Sequence, residues 1–106
     1  MISAHIQWQE MQSIAVPELS RTVANAAVRY ARIRTDWRLS DPDSRLEMNA
    51  SRTAAHNALI DACNILSRNM AQHGESIAWR KRLGDDRKVI GDFACHLHCL
   101  LGLEAR

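Results

Sequence analysis

The side chains with the widest chemical reach crowd near the C-terminal end: Asp92, Cys95, His96, His98 and Cys99. At 100° per residue, Asp92, His96 and Cys99 fall within about 60° of one another on a helix, with Cys95 just beside them. A carboxylate, an imidazole and two thiols on one edge are donors that zinc or another soft divalent ion accepts. One helix face supplies only two or three ligands, whereas structural zinc sites draw on thiolates spaced C-x2-C in turns. His56 or Cys63 would have to complete the set. The competing role for the cysteines is packing, since free cysteine is commonly buried and inert. A Cys95–Cys99 disulfide is disfavoured, because Cβ atoms at i and i+4 stand about 5–6 Å apart, more than the ~3.8 Å of a disulfide.

A second group is basic: Trp79-Arg80-Lys81-Arg82, followed by Arg87 and Lys88. Positive charge beside an aromatic ring suits phosphate contact with base stacking. Asp85 and Asp86 interrupt the run, and the chain holds only five aromatic residues. A recognition helix opening on two acids would repel phosphate, so a solvated basic surface fits better than nucleic-acid binding. A third group, Arg52, His56, Asn57, Asp61 and Asn64, would need partners if buried, and Arg87 and Asp92 are candidates. No G-x-S-x-G, H-E-x-x-H or phosphate-cradling glycine loop accompanies these groups.

The elements that position these residues follow from stop and start signals. Pro17 opens a helix, and Leu19, Val23, Ala26, Tyr30, Ile33 and Trp37 then recur at steps of four and three, an a/d seam. Arg21, Arg29 and Arg32 lie off that stripe and should face water. After Ser40-Asp41, Pro42 begins a run that meets no glycine until Gly74, enough for one helix of roughly 48 Å. Such a rod cannot bury its apolar stripe alone. Met48, Ala55, Leu59, Ala62, Cys63, Leu66 and Met70 mark that stripe, with Asn57, Asp61 and Arg68 opposite. Gly84 stops a short helix containing Trp79 and Leu83, and Asp85-Asp86 caps a last one in which Phe93, Leu97 and Leu101 form an apolar arc expected opposite the Asp92/His96/Cys99 edge. Gly91 within that helix costs about 1 kcal/mol relative to alanine, and close approach of another helix or a chance glycine accounts for it equally well. Residues 2–15 fit a helix or a short strand equally well.

The expected fold is all-α: one domain over residues 1–106, a small antiparallel helical bundle of three main helices (about 17–37, 42–73 and 86–101) with an N-terminal segment and a short helix 76–83. Net charge of +2, with 46% hydrophobic and 25% charged residues, gives no global attraction to nucleic acid or anionic membrane. No window approaches the ~20 apolar residues of a membrane span. Three cysteines and no leader-like start suit free thiols in the cytoplasm. The surplus of apolar stripe predicts a homodimer, with Leu19, Val23, Tyr30, Ile33 and Trp37 in the core or at the interface. For function the expectation is a non-enzymatic interaction or regulatory module without a cofactor. The alternatives are a metal- or ligand-binding protein using Asp92, Cys95, His96 and Cys99, and nucleic-acid binding through Trp79–Arg82.

Overall fold

The computed structural model describes residues 3–104. Five helices run in the order α1 (Ala4–Met11), α2 (Pro17–Leu39), α3 (Pro42–Gln72), α4 (Ala78–Leu83) and α5 (Arg87–Glu104), and no strand forms among the described residues. The fold is the all-α bundle the spacing predicts. The ambiguous N-terminal segment is helical: Ser3 Oγ accepts from the Ile6 N–H, while Trp8 and Met11 turn into the core. Ile14 lies beyond that helix and is exposed.

α2 and α3 form an antiparallel hairpin joined through Ser40 and Asp41. Asp41 caps α3 by accepting the Ser44 N–H at 2.8 Å, and Pro42 occupies the first turn, where no N–H is required. That bond holds the Asp41 carboxyl below its ordinary range. From the other side, Arg45 donates to the carbonyls of Trp37 (2.9 Å) and Arg38 (2.8 Å), closing the C-terminal end of α2 with a cation. α3 is unbroken over 31 residues, and the molecule measures 47 Å in its longest dimension. Its buried side chains begin at Ala55 and continue through Leu59, Ala62, Cys63, Leu66 and Met70. Met48 is half-buried, while Arg21, Arg29 and Arg32 face solvent.

The seam on α2 is filled within one chain. Val23 and Tyr30 are 0% and 1% exposed, and Leu19 and Ile33 pack at the edge of the core. A partner therefore cannot reach Val23 or Tyr30. Trp37 is half-buried under arginine: the guanidinium carbons of Arg45 and Arg52 lie 4.6 and 3.9 Å from its ring centroid. A second stripe of small buried residues, Ser20, Ala27 and Ala31, leads along α2 to Arg34, which reaches α5. No helix among the described residues is long and apolar enough to cross a membrane.

Gly74 (φ 76°) ends α3 with paired bonds, Glu75 N–H to Met70 C=O and Gly74 N–H to Ala71 C=O. That turn presents Glu75 to the α1–α2 loop. Its carboxylate accepts from Ser13 Oγ (2.6 Å) and from the N–H groups of Ile14 (3.1 Å) and Ala15 (3.3 Å). The Ser13 hydroxyl, followed by the two amides, lowers the Glu75 pKa below its usual value. Folding thus favours the ionised form. Its stabilisation is complete above the unfolded-state pKa of about 4.3 and is lost as pH falls through the lower folded value. Glu75→Gln is expected to lower Tm at pH 7, with the gap to the parent protein narrowing as pH falls below about 4. Equal melting temperatures at pH 7 would show that this latch contributes nothing.

Candidate functional site

A groove of about 700 Å³ runs between α1 and α5 and holds the most reactive side chains of the sequence that remain accessible. Its floor is apolar: Leu83, Phe93 and Leu97 are buried, and Leu100 extends it along α5. Ala4 and Val89 form the walls. Polar groups stand around the rim, with His5 and Gln7 from α1 and Lys88, Asp92, His96 and Cys99 from α5. The Asp92/His96/Cys99 edge is not opposite the apolar arc: Asp92 and His96 lie within about 60° of Val89 around α5, so edge and floor meet in one depression.

Where α5 meets α2, Gly91 leaves room for a side chain from α2. A Cβ there would come within 2.7 Å of Arg34 Cζ, so the missing side chain is what admits the guanidinium. Arg34 Nη1 then donates to Asp92 Oδ1 at 3.1 Å and to Cys95 Sγ at 3.7 Å. Burial pulls the Arg34 pKa down, but these hydrogen bonds outweigh it and raise the pKa above its ordinary value. The start of α5 is fixed by Asp86, whose carboxylate accepts the N–H groups of Lys88 and Val89, both at 3.0 Å.

The structure therefore divides the Asp92/Cys95/His96/Cys99 set. Asp92, His96 and Cys99 line the groove, whereas Cys95 is half-buried against Arg34. Among the described residues no group of three or more His, Cys, Asp or Glu converges to hold a metal ion. The expected supplements are elsewhere: His56 meets the Tyr30 ring edge at 5.6 Å between centroids, and Cys63 is fully buried, its pKa raised to about 12 by burial. Neither joins Asp92, His96 and Cys99 in the groove.

The basic run is also redistributed. Trp79 is 0% exposed and cannot stack on a base. Arg80 donates to Asn64 Oδ1 (2.8 Å) and the Gly84 carbonyl (2.9 Å) and pairs with Asp85, while Arg82 pairs with Glu10. The third group splits similarly. Arg87 bonds Thr53 Oγ1 at 3.0 Å, Asp92 serves Arg34, and Asn57 and Asp61 are exposed. Arg52 Nε, His56 Nε2 and Trp37 Nε1 are buried without hydrogen-bond partners among the described residues, between α2 and α3.

Sequence reasoning missed His5 and Gln7 as site residues and placed Lys88 with the basic run rather than with this groove. The cap at Ser3 with Trp8 and Met11 one helical repeat apart was the available signal, since it places Ala4 and Gln7 beside the buried face. Against protein-family models, curated proteins and solved structures, the chain shows no match.

Proposed function

We propose that this chain is a non-enzymatic helical module that regulates or connects by binding, and that the α1–α5 groove is its working face. The observation that carries this reading is the apolar floor of Leu83, Phe93 and Leu97 within an open depression ringed by polar groups. Binding sites combine these features, apolar area for affinity and a few polar groups for orientation. An uncharged solvatochromic dye such as Nile red tests it. The folded chain should take up one dye molecule with a blue-shifted emission, and Val89→Trp, a change at a 46% exposed wall residue, should abolish uptake. Absence of uptake by the parent chain would remove the reading.

Self-association is a second reading, favoured by Leu39 and Leu46 at the hairpin tip, 82% and 72% exposed. A dimer would mask these side chains rather than the buried seam of α2. Light scattering at micromolar concentration should then report twice the 12.0 kDa chain mass, and a strict monomer ends the idea.

A further inference from the structure

We propose that the occupant of the α1–α5 groove is a small amphipathic anion, an acyl-chain carboxylate whose tail lies along α5 and whose head meets Lys88. This rests on the groove being the working face and adds the chemistry of its ligand.

Shape comes first. Between Lys88 and Leu100, α5 rises about 18 Å, long enough for an extended acyl chain to lie along the groove. Phe93, Leu97 and Leu100 offer it a continuous apolar track, with Leu83 beneath.

Charge decides the head group. Asp92 is the acid on the rim, and its carboxylate is already neutralised by Arg34 at 3.1 Å. Lys88 makes no ion pair among the described residues. Asp86, at the same end of α5, is engaged in capping the helix and does not line the groove, so Lys88 is the charge that faces a ligand there and favours an anionic head. Gln7 adds a polar group without a partner: its Oε1 is buried in the groove wall and accepts nothing from the chain. Turning the amide over presents its NH2 as a donor instead.

Isothermal titration of the full chain with dodecanoate, octanoate and dodecyltrimethylammonium separates the claims. Dodecanoate should bind once per chain, and octanoate tenfold or more weakly, since each buried methylene strengthens binding about fourfold. Lys88→Met should weaken dodecanoate by up to about fivefold and shift the preference towards dodecyltrimethylammonium. An unaffected Lys88→Met variant, or equal binding of the cationic detergent, overturns the anion assignment while the groove survives. Dodecanoate binding that persists in Val89→Trp places the ligand outside the groove and also overturns it. So does a chain dimer that Val89→Trp dissolves, which would give the groove to a second copy. If neither dye nor dodecanoate binds, the groove itself is not the working face.

Discussion

Trp79→Ala is expected to remove about 3–5 kcal/mol of stability, the cost of emptying a large aromatic site in a packed core. Small domains hold only about 5–15 kcal/mol in total, so the variant should lie close to its unfolding threshold at room temperature. The indole is 0% exposed, and α4 has six residues with Trp79 and Leu83 as its buried pair. So short a helix has no stability of its own and stays helical because those two side chains are covered. Losing the ring frees α4 from the core and takes Leu83 out of the groove floor, so dye uptake should fail along with stability. Trp79 Nε1 has no hydrogen-bond partner, and Trp79→Phe should therefore cost much less. Urea unfolding measures both variants. A loss below about 1 kcal/mol for Trp79→Ala, ordinary for any substitution, would show that α4 is not held by this ring.

Gly84→Ala is the second large effect, at about 1–3 kcal/mol. Gly84 sits at φ 66° and ψ −160°, a conformation essentially confined to glycine. A Cβ there would meet no heavy atom within 4 Å, so the penalty is one of backbone conformation alone. Repacking neighbours cannot relieve it. Gly91→Ala provides the contrast. Its Cβ would strike only the flexible end of Arg34, and alanine recovers about 1 kcal/mol of helix propensity, so that variant should be nearly neutral in stability. Thermal melts of the two variants side by side distinguish the mechanisms. Equal losses would mean that the Gly84 turn can relax to a conformation alanine tolerates.

The three long helices were legible because each carries its own punctuation. Pro17, Asp41-Pro42, Gly74 and Asp86 act within one or two turns, and nothing distant overrides them. The seam of α2 was read one stripe too narrowly. Leu19, Val23, Tyr30 and Ile33 describe one contact face, but α2 packs against both α3 and α5. Ser20, Ala27 and Ala31 are small and carry little hydropathic signal, yet they are where close packing occurs. The groove was half legible. Helical spacing placed Asp92, His96 and Cys99 together, whereas their meeting with His5 and Gln7 depends on a packing between chain ends that no local pattern encodes. Trp79 read as a stacking platform because its neighbours are cationic. Its burial is decided by a six-residue helix too short to show a period.

The hairpin has a division of labour. None of the side chains of residues 42–54 is buried, although they extend α3 by more than three turns alongside α2. Chain segments that conceal so little from water open independently of the domain that carries them. Amide protons there should exchange with deuterium well before those around Leu59 and Leu66. Evolution could extend or trim this arm by whole turns, altering what it reaches while the remainder of the protein keeps its shape.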